Sequence, residues 1–296
     1  MAETSNAPGG VDTRTQRSFG YQWTAFGEMK EQFEDDFLNY IHPVGRGFFA
    51  GKRGLDAGCG YGRHMFHAAR FGARMVGLDF SRAIERARDV TATLDHVRVV
   101  QGDIARPPFR PGAFDFVYSL GVLHHLRDPE AGFRALLPLV RPGGAAFIWV
   151  YSKSRGFTNT VLEAARAVTS RLPLAVTRAL SWTGAAVDWV GFIVPYRLLR
   201  AAAGPRVDRV TLPRIRVYAR YPFQVCYADW FDRLSAPIRF YYNGDDLEKW
   251  AQRAGLVNVK ISPTGLYGWR LYGERPAEAA SGSETSGDTS DVRHRR

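Results

Sequence analysis

The chain of 296 residues has only two cysteines, Cys59 and Cys226. That excludes a disulfide framework and a Cys-based zinc centre, and it gives no sign of an oxidising compartment. Long apolar runs are missing too. The longest stretches without Lys, Arg, Asp or Glu are 11 residues, at 116–126 and 142–152. A membrane-spanning helix needs about 18 or more. No apolar segment lies near the start, so no secretory signal is read there. These absences predict a soluble, cytoplasmic protein. Lysine is scarce as well, with 5 against 35 arginines.

What is present is an uneven charge. The net +11 divides into +2 over residues 1–152, +9 over 153–240 and zero over 241–296. A basic middle segment suits an anionic partner such as nucleic acid, a membrane surface or a charged substrate, and equally suits a solvated face. Residues 1–18 and 276–296 are small and polar, and disorder is expected for both.

From 51 to 152 short apolar runs alternate with helical stretches. Strands are expected at 54–59, 73–79, 97–103, 114–119 and 145–151, with helices at 62–72, 81–94 (opened by Ser81 as N-cap) and 128–140. A helix at 245–256 and a hairpin of 257–262 with 266–273 complete the pattern. This rhythm implies an α/β protein with a parallel, doubly wound sheet, the hairpin on its edge.

Asp56, Asp79 and Asp103 end three successive strands, where an open parallel sheet places its ligands. Asp56 precedes Gly58-Cys59-Gly60-Tyr61-Gly62, glycines that let backbone approach a ligand. Asp79 follows Gly58 at the spacing of a carboxylate that accepts ribose hydroxyls. The dinucleotide fingerprint G-x-G-x-x-G fails, because Arg63 stands at its third glycine. An acid at 56 also repels a pyrophosphate and suits a cationic or zwitterionic ligand.

The stretches LDAGCGYGRH (55–64), GLDFS (77–81), QGDIARPPF (101–109), FDFVYSLGVLHHLRDP (114–129) and LVRPGG (139–144) resemble, in order and spacing, the class I S-adenosylmethionine-dependent methyltransferases of the broad small-molecule group. The resemblance implies a Rossmann-like seven-stranded sheet with an antiparallel last strand. It implies S-adenosylmethionine as cofactor, S-adenosylhomocysteine as product, and no metal. Asp56 with the loop of Gly58, Cys59 and Gly60 would face the methionine moiety, backbone amides near its carboxylate. Asp79, followed by Phe80 and Ser81, would hold the ribose, with Phe80 packed on the adenine. Asp103 and Ile104 would meet the adenine edge, and Leu120 and Gly121 would line the methionine side. FGYQWTAFGEM (19–29) is similar to a cap over the cofactor, with Tyr21 and Trp23 as lid aromatics.

The acceptor is not legible, so neither is the base. His125, His124 and Tyr151 are the candidates, since all follow strand ends. The spread of the His-His pair across relatives with unrelated substrates argues for a structural role. His64 and His67 are read as packing or surface residues, no third ligand being near in sequence.

The expected units are a helical cap at 19–50, a core of 51–152 with 241–275, and a largely helical insertion at 153–240. In the insertion Val161, Leu162, Ala165, Val168 and Leu172 recur at helical spacing. Seven arginines between 197 and 220 face one acid, Asp208, and aromatics follow densely. The insertion is read first as a lid over a bulky or lipophilic, anionic small-molecule acceptor. The alternatives are a membrane-peripheral enzyme of a lipid-like substrate, a transfer-RNA methyltransferase and, last, a non-enzymatic scaffold.

Overall fold

A computed structural model describes Gly20 and residues 32–265 and 268–277. The expected terminal disorder and the lid aromatics Tyr21 and Trp23 lie outside those residues. Helix α1 (Gln32–Tyr40) leads to the sheet. Then follow β1 (Arg53–Ala57), α2 (Arg63–Arg70), β2 (Arg74–Asp79), α3 (Ala83–Val90), β3 (Val97–Gln101), β4 (Phe114–Leu120), α4 (Pro129–Leu136) and β5 (Val140–Tyr151). Five helices come next: α5 (Gly156–Thr169), α6 (Leu174–Asp188), α7 (Val194–Ala203), α8 (Pro213–Tyr218) and α9 (Phe223–Ser235). Helix α10 (Gly244–Arg253), β6 (Val257–Pro263) and β7 (Gly268–Glu274) close the chain.

The sheet runs β3-β2-β1-β4-β5-β7-β6. The first five strands pair in parallel, and β7 lies antiparallel between β5 and the edge strand β6. This is the doubly wound, seven-stranded arrangement expected, with a single reversed strand. The reversal after β1 puts the switch point between β1 and β4, where such sheets take their ligands. Two apolar layers hold the sheet. One packs Phe37, Phe49, Met65, Phe116 and Phe147 under α1 and α2. The other packs Leu55, Leu78, Phe133, Val140 and Trp250 under α4 and α10.

Local chemistry sets the boundaries. Asp128 caps α4 by accepting the Ala131 N–H (2.9 Å), with Pro129 at the first helical position. Asn243 and Asp246 form a reciprocal capping box on α10. Ser81 does not cap as expected. Its hydroxyl proton goes to Asp79 (2.7 Å) while its oxygen accepts the Ala83 N–H (3.2 Å), and the helix starts later at Ala83. Strand β5 begins earlier than expected. Val140 already pairs with Phe114, and a register shift absorbs Pro142-Gly143-Gly144, where Gly143 takes φ +70°.

The insertion is helical, but its burial follows the periodic reading only in part: Leu162, Ala165 and Leu172 are half-buried. On α5 Val161 is 51% and Val168 62% exposed, whereas Arg166 is 2% exposed. Arg166 turns inward because its Nε donates to the Arg233 carbonyl (3.0 Å) and its guanidinium pairs with Glu163. Helices α6 and α9 approach closely at Gly184, where a Cβ would stand 2.8 Å from the Trp230 ring.

Candidate functional site

The sheet order sets Asp103, Asp79, Asp56 and Leu120 along one carboxyl edge, at the ends of or just beyond β3, β2, β1 and β4. Asp56 is 1% exposed, and its Oδ2 has no hydrogen-bond partner among the described residues. Burial pushes its carboxyl up to about 8, the Asp79 charge adding and the Tyr118 phenol opposing. The Arg63 charge also opposes this rise without cancelling it, and a cationic ligand group beside a buried carboxylate would relieve the remaining cost.

The loop after β1 is built for close approach. Gly58 has φ +90°, and a Cβ there would lie 2.5 Å from a Val122 methyl. Its amides have partners within the protein. Gly58 and Cys59 donate to the Leu78 carbonyl (2.7 and 3.0 Å), Gly60 to Asp79 Oδ2 (2.8 Å) and Gly62 to the Cys59 carbonyl (2.8 Å). In this structure these amides fasten the loop to β2. The Cys59 side chain lies in the core beside Met65, and burial pushes its thiol up.

Asp79 is the clamp. Oδ2 takes Gly60, and Oδ1 takes both the amide (2.8 Å) and hydroxyl (2.7 Å) of Ser81. Burial raises its pKa against these hydrogen bonds. A carboxylate has about four acceptor positions, so it retains capacity for a ligand hydroxyl. Asp103 closes its own turn by accepting the Ala105 N–H (2.8 Å), and Ile104 is buried beneath. The Phe80 ring is half-buried at the same edge. Leu120 is buried, and Gly121, at φ +80°, donates to the Trp149 carbonyl (3.0 Å).

The chain after β4 meets the end of the insertion. His125 Nδ1 donates to the Ile238 carbonyl (2.8 Å), which fixes the tautomer with its lone pair on Nε2. Burial holds its pKa down to about 4, with Asp232 opposing and Arg239 adding. His124 is fully buried, and neither of its ring nitrogens has a hydrogen-bond partner among the described residues. Its ring lies 4.0 Å from that of Tyr151, centroid to centroid. Burial also raises the Tyr151 phenol well above its ordinary range, and its hydroxyl donates to Asp232 Oδ2 (3.0 Å). Tyr151 thus keeps its proton and orients Asp232, which weakens it as a base. Arg239 pairs with Asp232 and lays its guanidinium 4.6 Å from the Tyr151 ring centre.

Asp232 and Arg239 are the site residues that sequence reasoning missed. They belong to the insertion, seven positions apart across the end of α9, and only folding brings them to His125. The one available signal was an acid in an aromatic-rich stretch whose other charges are mostly arginine. His64 and His67 are buried against Phe37, and His67 lies 3.8 Å from Glu34. No group of three metal-ligating side chains occurs among the described residues.

Comparison with known proteins agrees with this geometry. A methyltransferase-domain family model matches residues 55–148. The ubiquinone biosynthesis O-methyltransferase of Ralstonia nicotianae is 35% identical over 48% of this chain and 61% of its own length. That of Neisseria meningitidis serogroup A is 30% identical over 63% of this chain and 76% of its own. So the chain spans less than two thirds of the former and about three quarters of the latter. Among solved structures, the magnesium protoporphyrin IX methyltransferase of Synechocystis with bound S-adenosylhomocysteine shares the fold at TM-score 0.51 and 16% identity. Those alignments cover 89% of this chain and 99% of that one. The chain belongs to the class I S-adenosylmethionine-dependent methyltransferases, whose cofactor is S-adenosylmethionine. The residues present fit that cofactor, since the orphaned Asp56 oxygen calls for a cation beside a glycine loop.

Proposed function

We propose that this protein methylates a hydroxyl oxygen of a small, lipophilic acceptor, with residues 153–240 as the lid that selects it. The names of the relatives support oxygen as the receiving atom. The observation that carries the reading is Asp56, buried at the switch point of the sheet with its Oδ2 lacking a hydrogen-bond partner among the described residues.

When bound, S-adenosylmethionine supplies an electrophilic methyl on a positively charged sulfur. Asp56 holds the cationic end of the methionine moiety. Gly58, Cys59 and Gly60 present backbone to it, and Leu120 and Gly121 close its other side. Asp79 accepts ribose hydroxyls with the lone pairs left after Gly60 and Ser81. Phe80 packs on the adenine, whose edge meets Asp103 and Ile104. These positions supply rate chiefly by alignment, since a displacement at methyl needs its three reacting atoms in line.

At the acceptor, His125 takes the hydroxyl proton on Nε2, its ring held by the Ile238 carbonyl. Asp232, fixed by Tyr151 and Arg239, stands by to stabilise the charged ring that results. His124 packs behind them. Because His125 lies buried under the end of the insertion, the acceptor enters by displacing that segment, as a lid requires.

The test has two stages. Calorimetry with S-adenosylhomocysteine should give binding, lost or strongly weakened in Asp56→Asn. Label transfer from S-adenosylmethionine should then go to the hydroxyl of alkyl-substituted phenols, with a fall in kcat and little change in cofactor affinity for His125→Gln. Absence of cofactor binding, or transfer to bulk transfer RNA alone, overturns the reading.

A further inference from the structure

Tyr118 brings a hydroxyl into the aromatic layer under α1 and α2. Its ring is fully buried, 5.6 Å from that of Phe37 and 6.1 Å from that of Phe116, centroid to centroid. A phenylalanine would fill the same space. The hydroxyl is the difference, and it has no hydrogen-bond partner among the described residues. A buried hydroxyl in that state costs free energy, so its presence asks for a use.

The register of the sheet shows what stands beside it. Asp56 of β1 and Tyr118 of β4 are paired positions on neighbouring parallel strands. Paired residues carry their side chains on one face, with the strands about 4.8 Å apart. Asp56 is 1% exposed, and its Oδ2 is the second unpartnered atom at this place. A carboxyl oxygen and a phenol donor are thus neighbours at the switch point, and the rings of Phe37 and Phe116 confine the phenol there.

Charge decides when the two engage. A protonated carboxyl is a weak acceptor, whereas a carboxylate takes a short, strong hydrogen bond. Burial keeps the proton on Asp56. The Tyr118 phenol favours the ionised form, the Asp79 charge disfavours it, and the Arg63 charge and the Met65 N–H favour it. Tyr118 remains a donor throughout, because burial and the Asp56 charge raise its phenol well above the ordinary range. The Cys59 thiol beside them is raised too and stays neutral. When a cationic ligand group binds at Asp56, the carboxyl proton leaves to solvent and the carboxylate gains a donor already in place.

We propose that Tyr118 is a positioning residue for Asp56, its phenol donating to the carboxylate when the ammonium group of the cofactor binds there. The inference rests on the assignment of Asp56 to the methionine moiety and deepens it. It makes β4 part of the cofactor site through a side chain that never reaches the ligand.

The test is Tyr118→Phe, which keeps the ring and should melt close to the parent, since the hydroxyl removed had no partner. Calorimetry with S-adenosylhomocysteine, which carries the same ammonium group, follows affinity from about pH 6 to 9. A hydrogen bond to an ionised group contributes about a factor of ten. Without it Asp56 should titrate near about pH 9 in place of about 8. Affinity should then fall about tenfold at pH 7, where ionising the carboxyl opposes binding, and only about twofold at pH 9, where the parent is already ionised. In an Asp56→Asn background the tyrosine change should have no pH-dependent effect. A loss of equal size at every pH is what altered packing or a direct contact with the ligand would give, and it overturns the inference. So does a variant that binds as the parent does. If Asp56→Asn alone leaves binding unchanged, the assignment of Asp56 fails and this inference with it.

Discussion

The sheet and the insertion distribute polar and apolar groups in opposite ways. Under the sheet, Phe37, Phe116, Tyr118 and Phe147 are almost wholly buried, and charge gathers at the carboxyl edge where a ligand arrives. In the insertion Arg166, Asp232 and Arg233 are inside while Trp182, Phe192 and Leu198 face solvent. The insertion keeps an apolar cluster around Ala185, Ile193 and Cys226, and adds to it buried ions and an outer face rich in apolar side chains. The interior ions are matched to one another: Arg239 with Asp232, Arg214 with Asp188, Arg233 with Asp229. Such pairs fix geometry more than they add stability, because desolvation offsets much of their attraction.

The largest effect should come from breaking one of these pairs. Asp232→Ala leaves Arg239, whose side chain is 5% exposed, without a counter-charge. Removing one partner of a buried pair costs about 3–5 kcal/mol, to be read by denaturant unfolding. If the two regions are as separate as their construction suggests, cofactor affinity should survive at temperatures where the insertion is still folded. A parallel loss of cofactor binding there would show that the regions act as one unit.

The next test falls on the sheet. Gly58→Ala imposes a side chain at φ +90° and 2.5 Å from Val122, a branched residue with little room to turn. Strain of this kind costs about 1–3 kcal/mol. Because the loop is fastened to Leu78 and Asp79, the change should also displace the clamp and weaken S-adenosylhomocysteine in calorimetry. Normal affinity in a destabilised variant would place the ligand away from this loop.

The two regions also differed in how far they could be read in advance. The sheet was legible because apolar runs end in glycine, acid or proline at each turn, and because burial follows the strand and helix periods. Asp56, Asp79 and Asp103 were found by their place at strand ends. What the sequence could not show is that the loop's amides are tied to the Leu78 carbonyl and to Asp79. In α5 the periodic valines at 161 and 168 pointed to a buried stripe, and they stand exposed. The pattern failed because the insertion also buries paired ions, among them Arg233 with Asp229, Arg239 with Asp232 and Arg214 with Asp188, and these pairs follow no apolar period. Asp232 and Arg239 were invisible for the same reason.

Asp56 gives the comparison its pH axis. Its carboxyl titrates near 8 in the folded protein, against an ordinary value of 3.8. The folded state therefore keeps a proton that the unfolded state releases, and this group's contribution to stability falls as pH rises from about 4 through 8. Asp56→Asn abolishes that loss, so its melting temperature should exceed the parent's by more at pH 8 than at pH 5. Cofactor binding has the opposite sign. A cationic ligand selects the ionised carboxylate, so affinity for S-adenosylmethionine should rise between about pH 6 and 7.5 with release of a proton. The variant should lose that dependence and about 1.5–3 kcal/mol of affinity, the contribution of a hydrogen bond to a charged group. Calorimetry in two buffers of different ionisation enthalpy reads the proton directly. Equal apparent enthalpies in both would mean that Asp56 is already ionised and compensated.

The smallest effect is the sharpest test of the contrast. Trp182→Ser removes the largest apolar side chain exposed in the insertion, and because that group is 54% in solvent the fold should hardly notice. Its stability change should stay within about 0.5 kcal/mol, as for surface positions generally. Phe116→Ala, at a fully buried ring in the sheet, should cost about 3–5 kcal/mol. Equal costs at the two sites would mean that Trp182 packs within the protein in solution, and the outward apolar face would lose its anchor.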